Sequence, residues 1–171
     1  MKIAICGAGT VGRGVTQILQ DNQALITART GKAIEITVVA SRSVPTDEIF
    51  KDIAYTADIG SVCARQDVDV VVELMGGTTD AKVLIETALS AGKSVVTANK
   101  ALIAEHGDAL FALATKHEVA LLYEAAVAGS IPIIKVIQES LAGNQVTWLA
   151  GIINGTANFI LTEMAAYGPT Q

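Results

Sequence analysis

Apolar residues in this chain fall in short unbroken runs separated by amphipathic stretches, a rhythm that predicts strands alternating with helices. KIAIC at residues 2–6 predicts a strand, and the spacing of Val15, Ile18, Leu19, Leu25 and Ile26 predicts one long helix from Val11 to about Arg29. IEITVVAS at 34–41 predicts the second strand, followed by a polar turn containing Pro45. VDVVVELM at 68–75 predicts a fully apolar strand, and DAKVLIETALSAG at 80–92 a helix closed by Gly92. SVVTA at 94–98, a helix from Gly107 to Lys116 and VALLYEA at 119–125 continue the alternation. Beyond it, SIPIIKVIQESLAG at 130–143 predicts a helix with proline near its start. QVTWLAGII at 145–153 predicts a strand whose half-apolar pattern opens a different sheet.

Such alternation implies right-handed crossovers and a mostly parallel sheet in the α/β class. The expected organisation is one α/β domain over residues 1–143, with an incomplete second α+β region beginning at 144–171. Half the residues are apolar (51%) and few are aromatic (4%), which suits small and branched side chains packed on both faces of a parallel sheet.

The formal charge of −5 and the absence of a lysine or arginine cluster exclude a nucleic-acid partner, so a small-molecule ligand must be held locally. Cys6 and Cys63 have no C-x-x-C spacing and read as reduced thiols, which implies a cytoplasmic protein. MKIAICGAGTVG is no signal peptide, because glycines break its apolar run. VALLYEAAVAGSIPII carries Glu124 and Pro132 and is shorter than a membrane span, so no membrane contact is expected.

GAGTVGRG places Gly7, Gly9 and Gly12 in G-x-G-x-x-G spacing between a strand and a helix, the dinucleotide fingerprint of a doubly wound, Rossmann-type sheet. Gly7 permits the tight turn, Gly9 the approach of a pyrophosphate, and Gly12 close packing of helix on strand. Ala8, Thr10 and Val11 complete the cofactor loop, while Gly14 is expected to serve packing. An acid at the end of the second strand would accept from the ribose 2′-hydroxyl of NAD. The strand ends in VVASRS instead, and Ser41 and Arg42 suit the 2′-phosphate of NADP, although an ordinary surface cation would also fit Arg42. NADP(H) is therefore the expected cofactor, with NAD(H) an alternative.

ELMGGTTD puts Gly76, Gly77, Thr78 and Thr79 at the carboxyl edge of the sheet, either lining the nicotinamide ribose or capping a helix. Glu73 is either an acceptor facing the cofactor or a buried acid on backbone amides. In VVTANKALIAEHG, Lys100 is either a proton-transfer group beside the nicotinamide or a solvated helix start. His106 and His117 read as a loop residue and a helix-end residue without metal-ligand spacing.

Together GAGTVGRG, VVELMGG, VVTANKALIAEHG, YEAAVAGSIPIIK and GIINGTANFILTEM resemble the homoserine dehydrogenase family, from Met1 to about Met164. The start resembles the monofunctional enzyme rather than the rear half of an aspartokinase fusion. The resemblance implies interconversion of L-aspartate 4-semialdehyde and L-homoserine, on the route to threonine, methionine and isoleucine, by a homo-oligomeric enzyme. It assigns the pyrophosphate to Gly7 through Gly12, the 2′-phosphate to Arg42, and the nicotinamide end to Gly77, Thr78 and the catalytic Lys100. Glu124, with Val127, Gly129 and Ile131, resembles the family's monovalent-cation site, for an ion such as sodium. Gly155 and Thr156 match positions near the substrate.

The family runs on through a G-[YF]-A-E-x-D-P type segment, an aspartate and a second lysine, whereas this sequence stops at AAYGPTQ. The expectation is a cofactor-binding fragment, inactive by itself. Two other classes bear weighing. One is a non-catalytic dinucleotide sensor. The other is a semialdehyde dehydrogenase with a cysteine nucleophile, disfavoured because Cys6 and Cys63 are expected away from the strand ends.

Overall fold

A computed structural model of the chain describes residues 1–151 and 154–167. Contacts divide it into two compact units, Met1–Ile131 and Pro132–Gln171, so the expected boundary at 143 lies within the second unit.

The first unit is built on six parallel strands in the order β3-β2-β1-β4-β5-β6. These are β1 (Lys2–Cys6), β2 (Glu35–Ala40), β3 (Ala54–Thr56), β4 (Val70–Glu73), β5 (Ser94–Thr97) and β6 (Leu121–Leu122). The chain winds outward from β1 in one direction through β3, then in the other through β4 to β6. This reversal leaves a crevice at the carboxyl ends of β1 and β4, where doubly wound sheets bind their ligands.

Alternation along β1 assigns the two faces of the sheet. Ile3 and Ile5 point into one core with Val39, Phe50 and Val72, against which Val15 and Leu19 of α1 (Thr10–Asp21) pack. Ala4 and Cys6 point into the other with Val38, Val71 and Val95. That second core is covered by Leu84, Ile85 and Leu89 of α4 (Thr79–Ser90) and by Leu102 and Leu110 of α5 (Lys100–Lys116). Burial on both faces explains why the strands read as continuous apolar runs.

Several elements depart from the sequence expectation. The single helix expected from Val11 to Arg29 is two, α1 and α2 (Gln23–Thr30), parted at Asn22. There the side-chain amide donates to the carbonyl of Ile18 at 3.1 Å, competing with helix continuation. The turn around Pro45 leads into β3 and the one-turn helix α3 (Ser61–Ala64), both too short to leave a periodic signal. The helix expected from Gly107 starts at Lys100, because Asn99 caps it and Gly107 sits buried within it. His106 is consequently helical rather than in a loop, with Nε2 3.5 Å from the carboxylate of Glu105.

In the second unit the helix expected over 130–143 shrinks to α6 (Ile133–Lys135) and a widened π-type turn, Val136–Ser140. Residues 145–151 form no strand; every one is exposed, and among the described residues no strand pairs with them to supply the ladder that a β conformation needs. The rest of that expected strand, 152–153, lies outside the described residues. The helix α7 (Gly155–Tyr167) follows.

Candidate functional site

The glycine loop is shaped by contact with its neighbours. Gly7 leaves β1 with φ at +116°, and a β-carbon there would lie 2.6 Å from the carbonyl oxygen of Leu74. Its amide donates to the carbonyl of Ala40 at 2.8 Å, fastening the loop to the end of β2. Gly12 packs on the carbonyl of Gly7, so closely that any β-carbon would overlap it. Gly9, by contrast, faces open space at the cap of α1. Gly14 also faces open space, so the packing role expected for it finds no neighbour among the described residues.

No side chain caps α1 and no acid lies in its first turn. The amides of the first turn, from Thr10 through Gly12, and the positive end of the helix dipole remain available to an anion.

A cleft of about 180 Å³ opens at this point. Gly7 and Gly9 form its floor, Ser41 and Arg42 one flank, and Leu74, Met75 and Gly76 the other. Ile59 and Asp80 complete the lining, neither of them singled out by sequence. Asp80 reads in sequence as an ordinary acid in a helix's first turn, and only the fold turns it toward Arg42's cleft. The end of β2 is braced by Tyr55, whose hydroxyl donates to the carbonyl of Ser41 at 3.0 Å. Ala8, Gly77, Thr78 and Lys100 do not line this cleft.

Those last three residues follow the carboxyl ends of β4 and β5, Gly77 and Thr78 before α4 and Lys100 at the start of α5. Glu73 is fully buried, and its Oε1 accepts from the amides of Met75 at 2.9 Å and Gly76 at 3.3 Å. Its Oε2 accepts from the hydroxyl of Thr97 at 2.6 Å. Glu73 is therefore an internal acceptor that holds the turn after β4. Thr78 occupies the cap position of α4 without a side-chain capping bond. Lys100, exposed, is the first residue of α5, where a cation meets the positive end of the helix dipole. No hydrogen bond or ion pair engages its ammonium among the described residues.

Cys6 stands at the carboxyl end of β1, contrary to the expectation that it lies away from the strand ends. It is nonetheless no nucleophile. Burial, with smaller contributions from Cys63 and Glu73, pushes its thiol from 9.0 up to about 12. Burial also raises the Cys63 thiol.

Glu124 opens a short 3₁₀ turn, Glu124–Ala126, and Ala128 and Gly129 follow with φ at 55° and 59°. The left-handed pair turns the chain sharply between Val127 and Ile131. Among the described residues no group of three or more histidine, cysteine or acidic side chains is arranged to hold a metal ion. Gly155 and Thr156 stand at the start of α7, and their surroundings lie outside what is described.

Residues 7–124 match the family model described as the NAD-binding domain of homoserine dehydrogenase, and residues 132–171 match that described as homoserine dehydrogenase. This chain belongs to the homoserine dehydrogenase family. The family's enzyme from Pseudomonas aeruginosa is 49% identical over 170 residues, covering 99% of this chain and 39% of the relative. That from Neisseria gonorrhoeae is 47% identical over 98% of the chain and 39% of its own length. The crystal structure of a homoserine dehydrogenase from Thiobacillus denitrificans superposes with a TM-score of 0.93 at 43% identity, over 99% of this chain and 39% of that one. A hyperthermophilic archaeal homoserine dehydrogenase in complex with NADPH matches with a TM-score of 0.83 at 26% identity, over 99% of this chain and 57% of that one. The chain thus spans about 39% of the length of these bacterial relatives. Among the described residues no helix is long and apolar enough to cross a membrane.

Proposed function

We propose that this chain is the cofactor-binding segment of an NADP-dependent oxidoreductase that interconverts L-aspartate 4-semialdehyde and L-homoserine, serving threonine, methionine and isoleucine biosynthesis. The observation that carries the cofactor reading is the cleft shared by the glycine loop, Ser41 and Arg42, at the carboxyl end of a strand that finishes Val38, Val39, Ala40 and not in an acid. The pyrophosphate lies over Gly7 to Gly12, on the free amides of α1, and the guanidinium of Arg42 pairs with the 2′-phosphate. Strand order supports a nicotinamide directed to Gly76, Gly77, Thr78 and Lys100, since β4 and β5 lie across β1 from β2.

When bound, the cofactor supplies a hydride to the aldehyde carbon. Lys100 supplies the proton to the aldehyde oxygen, and among the described residues no carboxylate pairs with its ammonium. Gly155 and Thr156 contact the amino-acid part of the substrate. Glu124 and the carbonyls of Val127, Gly129 and Ile131 form a set of hard oxygen donors suited to sodium or a similar ion, and the sharp turn at Ala128 and Gly129 supports their convergence. Residues 1–143 form the nucleotide domain and 144–171 open the substrate region of a homo-oligomeric, cytoplasmic enzyme, completed by sequence that this chain does not contain.

Calorimetric titration with NADPH and NADH tests the cofactor reading. NADPH is expected to bind at least tenfold more tightly; tighter binding of NADH would remove the role given to Arg42.

A further inference from the structure

We propose that Asn99 is a positioning residue that clamps the glycine turn after β4 to the helix that begins with Lys100, and so sets the wall for the nicotinamide half of the cofactor. The inference rests on the cofactor reading above and deepens it.

Asn99 has two arms. Its Oδ1 accepts from the amide of Leu102 at 3.1 Å, capping α5, while its Nδ2 donates to the carbonyl of Gly77 at 2.6 Å. Its backbone amide donates to the hydroxyl of Thr97 at 3.0 Å, and that hydroxyl donates onward to Glu73. Glu73 in turn accepts from Met75 and Gly76. The bonds close a ring running from Gly76 through Glu73, Thr97 and Asn99 to Gly77. Glu73 and Thr97 are fully buried and Asn99 is 8% exposed, so water does not readily substitute for these partners.

Gly76 and Gly77, with φ at 74° and 75°, have no side chains with which to hold their own conformation. The ring holds them instead, from the amide side by Glu73 and from the carbonyl side by Asn99. Helix capping alone would not need asparagine at position 99, since serine or aspartate caps as well. The amide supplies the acceptor for Leu102 and the donor for Gly77 from two separate atoms, whereas a carboxylate has no donor and a serine would have to serve both from one shorter hydroxyl. Because Gly76 lines the cofactor cleft and Lys100 follows Asn99, one side chain registers the wall of the cleft against the catalytic lysine.

The test compares the parent chain with Asn99→Asp, which keeps a capping oxygen but has no donor for Gly77, and Asn99→Ser, which keeps the cap but leaves a single shorter hydroxyl in place of the Nδ2 donor. Thr97→Val, which opens the ring elsewhere, provides an independent variant. Binding of NADPH and of 2′,5′-ADP, which lacks the nicotinamide half, is measured by calorimetry, alongside thermal unfolding. All folded variants are expected to keep 2′,5′-ADP affinity within twofold and to lose NADPH affinity about tenfold, or about 1.4 kcal/mol. NADPH affinity retained within twofold would overturn the proposal. So would an equal loss for both ligands, which would mark a general structural role. If the parent itself failed to bind 2′,5′-ADP, the underlying NADP reading would fall, and the inference with it.

Discussion

Gly12 rests directly on the carbonyl oxygen of Gly7, with no space for a β-carbon between them. Gly12→Ala is therefore expected to cost about 3 kcal/mol or more, because the clash is with backbone that cannot rotate away. Gly9→Ala meets no protein atom, so it should leave stability nearly unchanged and weaken NADPH binding at least tenfold. Gly14→Ala, in the open interior of α1, should raise stability by about 0.5–1 kcal/mol. Chemical denaturation of the three variants separates these outcomes.

Arg42 and Asp80 bring opposite charges to one cleft. Arg42→Gln should weaken NADPH by about 1.5–3 kcal/mol, the range for hydrogen bonds to charged groups, and leave NADH unchanged. Asp80→Asn should tighten NADPH a few fold by removing a carboxylate from an anion's surroundings. Parallel titrations with both nucleotides check the pair, and an Arg42 variant that lost both equally would contradict it.

Lys100 sits where a helix disfavours a cation. Lys100→Gln should accordingly leave the melting temperature unchanged or raise it slightly, by up to about 1 kcal/mol of relieved dipole repulsion. Turnover should fall by about 10²–10⁴-fold, the usual contribution of a positioned proton donor. The assay is homoserine oxidation in a chimera in which residues 1–171 replace the matching segment of the Pseudomonas aeruginosa relative.

The Cys6 thiol gives the fold a dependence on alkaline pH. Its folded value of about 12 lies above the ordinary 9.0, so the folded state keeps its proton after the unfolded state has lost it. The stability from this group is complete below pH 9 and is lost as pH rises toward 12, at about 1.4 kcal/mol per unit. Urea denaturation across this window should show the slope, and Cys6→Ala should be shallower by that amount. Equal slopes in the two proteins would rule the effect out.

Trp148, Leu149, Phe159 and Leu161 are 78%, 71%, 66% and 63% exposed. Apolar surface on this scale favours self-association. Light scattering should show an apparent mass that rises with concentration, and Trp148→Ser with Phe159→Ser should reduce it. A single monomeric mass at high concentration would argue the other way.

The glycine loop is legible from sequence because each residue answers a local demand: Gly7 a turn, Gly12 a close contact, both between a strand and a helix with clear periods. The alternation of apolar runs likewise carries the parallel sheet, since Ile3, Ala4, Ile5 and Cys6 are all buried. What sequence hides is decided by partners distant in the chain. Ala54, Tyr55 and Thr56 become a strand only by pairing with Val38, Val39 and Ala40. Glu73 shows its purpose only once Thr97 is beside it, and Asp80 its place only once the cleft exists. At residues 145–151 the opposite holds: the pattern suits a strand, but among the described residues no strand pairs with it.

The burial of Cys6 and Cys63 also has a practical use. Both of the chain's cysteines are withdrawn from solvent with their thiols kept protonated, so maleimides at neutral pH have little to react with in the folded protein. A cysteine introduced at an exposed position such as Arg29 would then take a dye by itself. The natural sequence is already a background for single-site fluorescence, needing no thiol to be removed first.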